Sequence, residues 1–403
     1  MIGLAAARTR EPSPRASAGW WRGLALGLVA IGCQGASQQP ARAEPQATPA
    51  VASEPAPCGR LLFVTTGRDD AQRIAVIPAA GGAPRAFLPA LEDSSISEYP
   101  AALAPDGETL LGLESRARGD GRTVDRFFLV TLAGAPSRAP IGPDGGLLRN
   151  PAWAPDGRFV VFESDADGFR DLYRMELPSG QALKLTGDRE GSFEPAIAPD
   201  GQSIAYASSR DGNAEIYVMT ADGGAPRRLT DSPGDDTSPR FSPDGQAIVF
   251  LSARERERGV AVHRMGRAGE APRLVTPAPP PAAPALARDL SFSTDGSRLA
   301  YTELVPSRGR AAVVVVAFAT GEVTARSDGE GIDEQPVFSP DGRHVAFTRA
   351  RGRRSDIARM PVDGGEVVVL TSGDESHWLP RWISDPGCPR SEAPRVDLPS
   401  RQG

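Results

Sequence analysis

The chain has 403 residues, with 45 Lys and Arg against 51 Asp and Glu, and its net charge of −6 excludes a broad basic nucleic-acid surface. Lys184 is the one lysine, which leaves neither a P-loop nor a Schiff-base site. With 39 Pro, 44 Gly, 6% aromatic residues and no long apolar helical stripe, the composition is that of a turn-rich β protein.

Residues 1–32 read as an export signal: Arg8, Arg10, Arg15 and Arg22 precede the apolar run Gly23 to Gly32, which is too short to span a bilayer. Ala30-Ile-Gly-Cys33 follows and resembles the bacterial lipoprotein cleavage box, which implies a lipidated Cys33. Cleavage after Ala41-Arg-Ala43 is the alternative. Residues 33–57, rich in Ala, Pro, Gln and Ser, lack the apolar side chains needed to offset ordering entropy and are expected to form a disordered tether. A flexible coil of that length spans about 25–30 Å.

Strands begin at Leu61. Leu61–Thr66, Arg73–Ile77 and Arg85–Leu88 form a group of three with no Pro-Asp-Gly strand ahead of them. Six full units follow, each marked by a turn whose aspartate is Asp106, Asp156, Asp200, Asp244, Asp295 or Asp341, at spacings of 50, 44, 44, 51 and 46. Pro presets φ, Asp bonds the backbone ahead of it, and Gly takes the positive φ that completes the turn. Leu110, Val160, Ile204, Ile248, Leu299 and Val345 stand four residues on, and Gly112, Phe162, Tyr206, Phe250, Tyr301 and Phe347 two further. This period of two marks a half-buried strand, and no single unit can bury that face alone. The clearest unit has four strands, at Pro195–Ala198, Ser203–Ala207, Glu215–Met219 and Arg227–Thr230. A last strand at Pro380–Ile383 completes the initial group of three, with Asp385 44 residues past Asp341. The long spacings come from a polar insertion, Glu114–Asp125, and a Pro/Ala-rich loop, Pro277–Leu286.

The expectation is all-β: a seven-bladed propeller of four-stranded antiparallel blades over residues 58–388, closed by its two ends, with six blades as the alternative and a disordered tail over 389–403. Cys58 and Cys388 fall where the chain does not make the turn of the closing blade, and an oxidising compartment would let them form a disulfide in its place.

The Ser-Pro-Asp-Gly-x-x-Ile-x-Phe unit, Asp211-Gly-Asn-Ala-Glu-Ile-Tyr217 and the closing Arg-Leu-Thr resemble the WD-like repeat of TolB-type periplasmic propellers, from about Gly59 to Gly387. The resemblance implies a non-enzymatic envelope protein. In that family the partner is a peptidoglycan-associated lipoprotein, and the propeller has six units rather than seven.

Similar propellers precede serine peptidases, but no Gly-x-Ser-x-Gly elbow occurs here. His263, His344 and His377 fall in three different units without ligand spacing, so no metal or other cofactor is expected. Asp165-Ala-Asp-Gly-Phe-Arg-Asp171 looks like a short calcium loop, yet Ser209–Glu215 fills the same place with fewer acids, which favours a self-capping turn. Functional residues are therefore sought by position. Those just ahead of each innermost strand ring one mouth of the channel: Glu98 and Tyr99, Arg149 and Asn150, Phe193 and Glu194, Asp236 and Thr237, Arg288 and Asp289, Glu334 and Gln335, His377 and Trp378. Aromatic residues among carboxylates suit a contact surface for a basic or amide-rich envelope protein or peptide. The alternative is a propeller lyase or hydrolase acting on a cell-surface polysaccharide. The tether reaches the propeller at Cys58, so the ringed mouth is expected to face away from the membrane, whose identity the sequence leaves open.

Overall fold

The computed structural model describes residues 57–394, apart from 68–69, 92, 120 and 277–282. The export signal, Cys33, the tether up to residue 56 and the tail from 395 lie outside the described residues. No described helix is long and apolar enough to cross a membrane.

Among the described residues the strands fall into seven antiparallel quartets, three of them joined by short parallel bridges. Blade 1 combines Ser376–Ile383 from the end of the chain with Arg60–Thr66, Gln72–Pro78 and Arg85–Ala86 from its start. The innermost strands of blades 2 to 7 are Ile96–Leu103, Leu148–Trp153, Ser192–Ile197, Asp236–Phe241, Ala285–Phe292 and Ile332–Phe338. The loop expected to run to Leu286 thus ends earlier, at the strand beginning with Ala285. The insertion Glu114–Asp125 is mostly strand, a hairpin extending Thr109–Ala117 and Thr123–Thr131.

Each Pro-Asp-Gly or Thr-Asp-Gly turn is built as its residues dictate. The carboxylates of Asp106, Asp156, Asp200, Asp244, Asp295 and Asp341 accept the N–H two residues on, at 2.7–3.1 Å. The six glycines that follow share φ between +69° and +72°, a conformation open to glycine at little cost.

The core lies between blades. Seven buried clusters each draw on two successive blades, including one between blades 7 and 1 (Ala346, Ile357 with Leu61, Phe63, Trp382) and one between 1 and 2 (Leu62, Ile383 with Leu110, Phe128). One aromatic from the repeat position enters each of five clusters: Phe162, Tyr206, Phe250, Tyr301 and Phe347. Burying each such ring contributes about 1.5–3 kcal/mol. Blade 2 has Gly112 at that position because Phe128, from the paired strand, occupies the space. A Cβ on Gly112 would stand 2.1 Å from its ring.

Blade 1 corrects the register expected from the sequence. Counting from Cys58 puts Leu62 and Val64 at the repeat positions, but Leu62 pairs with Arg381 and Leu61 with Trp382. Leu61 and Phe63 therefore take those places, packing toward blade 7 as Val345 and Phe347 pack toward blade 6. A slip of one residue exchanges the two faces of a strand, and only this register puts Phe63 in the inter-blade core.

The ends are joined by the Cys58–Cys388 disulfide, with Cα atoms 5.6 Å apart and a sequence separation of 330. The Arg60–Asp385 ion pair at 2.6 Å and the Trp382 indole N–H on the Cys58 carbonyl at 3.0 Å flank it. For a loop of this length, chain entropy sets the stabilisation at up to about 5 kcal/mol. Reducing the bond, or replacing both cysteines by serine, should lower the urea midpoint of the propeller while it still folds. A midpoint indifferent to reductant would show that strand pairing alone closes the ring.

Candidate functional site

All seven innermost strands carry a register shift against their neighbours, in six of them next to a proline. Proline suits this edge, since a strand lining a channel has N–H groups without a ladder partner. At the shift Asn150, Glu194, Ser238, Asp289, Gln335 and Leu379 take left-handed conformations, with φ from +47° to +59°. Such a residue costs roughly 1–2 kcal/mol. Side chains from preceding blades help hold several of these kinks. Glu163 accepts the N–H of Glu194 at 2.6 Å, and Glu194 that of Ser238 at 2.6 Å. Asp289 accepts the N–H of Gln335 at 3.2 Å, and Gln335 that of Leu379 at 3.1 Å. Asn150 joins the same system through Glu163 at 2.6 Å.

The residues expected at the mouth therefore divide. Glu194, Asp289 and Gln335 tie blades together, and Asn150 supports them. Glu98 is buried and paired with Arg138 at 2.6 Å. Asp236 is fully buried, pairs with Arg254 at 2.8 Å and bonds Ser252. His377 is 3% exposed and packs edge-on against Phe63. These three are placed in the blades rather than on an open surface. Three aromatics remain partly accessible. Tyr99 and Trp378, from blades 2 and 1, meet edge-to-face with centroids 5.8 Å apart, and Phe193 lies beneath the Arg170 guanidinium at 4.7 Å. Arg149 is exposed, Thr237 is half-buried, and Arg288 pairs with Glu334. Burial raises the pKa of Tyr99 and of Glu334; for Glu334, Arg288 opposes the shift and Asp289 and Asp333 add to it.

Three features escaped the sequence reading. Arg240 and Arg381 lie one step past the prolines of blades 5 and 1, signalled only by Pro-Arg-aromatic at two equivalent positions. The blade 2 hairpin walls a cavity of about 210 Å³ lined by Ile96, Glu114, Arg116, Arg118, Val124, Arg126 and Asp144. Burial and nearby Glu98 push the Glu114 carboxyl up. In the calcium-like loop, the Lys184 ammonium occupies the carboxylates of Asp167 and Asp171 at 3.0 and 2.9 Å. Among the described residues no cluster of three His, Cys, Asp or Glu has the form of a metal site.

Burial lowers the pKa of both His377 and His263 below 6.5, although Asp356 and Glu375 oppose the shift at His377. A base whose pKa is depressed in the fold stays neutral there while the unfolded chain takes up its proton. Stability should therefore fall as pH drops through 6.5 toward the lowered folded values. His377→Gln should flatten the melting-temperature slope just below neutrality. An unchanged slope in His377→Gln with His263→Gln would assign the effect elsewhere.

The family model of the tricorn protease N-terminal β-propeller domain matches residues 170–312. The Tol-Pal system protein TolB of Syntrophus aciditrophicus is 38% identical over 66 residues, 16% of this chain and 12% of that protein. The chain thus spans a small fraction of the curated relatives it matches. In fold it is similar to TolB of Acinetobacter baumannii, with TM-score 0.53 and 22% identity over 81% of this chain and 66% of that one. It is likewise similar to oligogalacturonate lyase of Vibrio parahaemolyticus, with TM-score 0.54 and 14% identity over 78% of this chain and 86% of the lyase. A short stretch of identity to TolB, a propeller match over part of the chain and the shared fold show a β-propeller similar to that of TolB proteins.

Proposed function

We propose that the protein is an exported, non-catalytic binding propeller of the cell envelope that recognises a protein or peptide at the ringed mouth. The observation that carries this reading is the Tyr99–Trp378 pair. Two half-accessible aromatics stand on neighbouring innermost strands, and the corresponding strand starts of other blades carry the Arg288–Glu334 and Arg170–Phe193 contacts. Rigid aromatic and arginine side chains are the usual anchors of a protein interface. The polysaccharide-enzyme reading would need an acid–base pair free in the channel. The mouth carboxylates Glu194 and Asp289 are instead engaged by the backbone of the next blade. The protein is held to the membrane through lipid on Cys33.

Replacing Tyr99 and Trp378 together by Ala should weaken partner capture from envelope extract at least about tenfold, as loss of a hot spot does. Their mutual contact contributes only about 0.5–1.5 kcal/mol to folding, so the melting temperature should move by a few degrees at most. Undiminished capture by the double variant would remove the mouth as the binding site. Cys33→Ser should shift the protein from the membrane to the soluble fraction. Continued membrane association would contradict lipid anchoring there.

A further inference from the structure

The innermost strands of blades 5 and 1 each carry an arginine directly after the mouth proline. The Arg240 Nη1 donates to the carbonyl of Pro239 at 2.8 Å. The Arg381 Nη1 donates to Pro380 at 3.0 Å and its Nη2 to Ala101 of blade 2 at 3.3 Å. Among the described residues neither meets a carboxylate at ion-pair distance, unlike Arg138, Arg170, Arg254 and Arg349, which all do. Both are half-buried on strands that line the channel. Burial depresses both pKa values, that of Arg381 to about 10, and an arginine guanidinium keeps its proton in a protein. Such a depression arises when charge leaves water without gaining a full counter-ion.

The surrounding acids are already engaged. Asp289 acts on both arginines electrostatically, and Glu194 and Glu163 on Arg240. Glu163 is held by Arg170 at 2.6 Å, Glu194 by the Ser238 N–H, and Asp289 by Thr302 and the Gln335 N–H. The charges are also layered. Arg240 and Arg381 lie two residues past the kinks at Ser238 and Leu379, about 7 Å deeper along the strand. Glu194 and Asp289 belong to the mouth layer. At the other end of the channel, the segment after Cys388 lies over the turns of blades 2 and 7. Arg390 rests against Gly107, and the Ser391 N–H bonds the Pro340 carbonyl at 2.8 Å. A ligand that enters at the ringed mouth meets Tyr99 and Trp378 first.

We propose that Arg240 and Arg381 form a carboxylate site for the C-terminus of a peptide that enters past Tyr99 and Trp378, its last side chain being basic and lying among Glu194 and Asp289. The assignment rests on the mouth being a peptide-binding surface. The layering is what favours a peptide. A polyanionic sugar chain would set its other carboxylates against the acidic mouth, whereas a basic residue beside a terminal carboxylate matches both layers. Blades 1 and 5 are separated by blades 6 and 7 on one side and by 2 to 4 on the other, so the strands that carry the two arginines stand across the channel from each other.

The test is fluorescence anisotropy on the purified propeller-bearing chain, with labelled acetyl-tetrapeptides ending in lysine, as free acids and as C-terminal amides. The free acids should bind roughly ten- to a hundredfold more tightly, the range for hydrogen bonds to a charged group. Arg240→Gln and Arg381→Gln should each cost the free acid more affinity than the amide, and Arg→Lys should retain part of the preference. Because the native guanidiniums lack a carboxylate partner, the Gln variants should melt no lower than the parent. Equal binding of acid and amide, or equal losses for both in the Gln variants, would overturn the carboxylate site. If Tyr99→Ala with Trp378→Ala weakens the amide although no acid preference exists, the mouth stands and this inference fails. If that variant changes neither peptide while the arginine-dependent preference persists, the carboxylate site stands and the mouth reading fails. A uronate oligomer that binds more tightly than either peptide, and is lost on Arg→Gln, would give the site to an acidic glycan and overturn the peptide assignment.

Discussion

The pairing of Ser376–Ile383 with Arg60–Thr66 is the constraint on which the rest of the molecule depends. The hydrophobic clusters lie between blades, so a blade is stable only when both its faces are covered. Were this pairing open, the clusters on either side of blade 1 would lose it together, exposing Phe63, Trp382, Phe128 and their neighbours. The closing blade joins residues more than 300 positions apart, a costly contact in chain entropy. The disulfide, the Arg60–Asp385 pair and the Trp382 hydrogen bond all gather at this one turn. Elsewhere a local Pro-Asp-Gly turn does the same work within a few residues.

Closure also sets the geometry of the mouth. A strand facing a channel has a free edge, and here that edge is kinked rather than straight. The kinks bring side chains from one blade within reach of backbone N–H groups on the next, at Glu194–Ser238, Asp289–Gln335 and Gln335–Leu379. These side chains, Asp289 among them still exposed, thereby help to hold neighbouring blades in register. The side chains left at least partly accessible stand one residue earlier: Arg149, Phe193, Arg288, Glu334 and Trp378. Tyr99 joins them because blade 2 lacks the left-handed residue before its proline.

Much of the architecture was legible because it is local. Asp and Gly at fixed places make the same turn six times, and period-two alternation reports a strand whatever its neighbours are. Phe128 in place of an aromatic at Gly112 was not legible, because the substitute comes from another strand. The register of blade 1 was missed for a related reason. No covalent turn ties its strand to the one before, so counting from Cys58 had nothing to fix it. At the strand starts, position along the chain did not report the burial of Glu98, Asp236 and His377. Their burial depends on Arg138, Arg254 and Phe63, none of which adjoins them in sequence. Arg240 and Arg381 went unnoticed because an isolated arginine in an arginine-rich chain carries no signal until the strand is placed against the channel.

In a chain of repeats, sameness and difference separate two kinds of demand. The turns at the far end of the blades hardly vary: each aspartate accepts the N–H two residues on, and each glycine has nearly the same φ. That uniformity is what a folding requirement imposes on every copy, and it leaves those carboxylates little capacity for anything else. The start of the innermost strand is subject to no such common demand beyond the kink. There the copies present Glu98, Arg149, Phe193, Thr237, Arg288, Glu334 and Trp378, a mixture of acids, bases, aromatics and a hydroxyl. One step below, Ala152 and Ala196 stand where Arg240 and Arg381 stand in other blades. A symmetric scaffold needs none of this asymmetry. A ligand that is itself asymmetric does, which is why the mouth and the layer beneath it carry the functional reading.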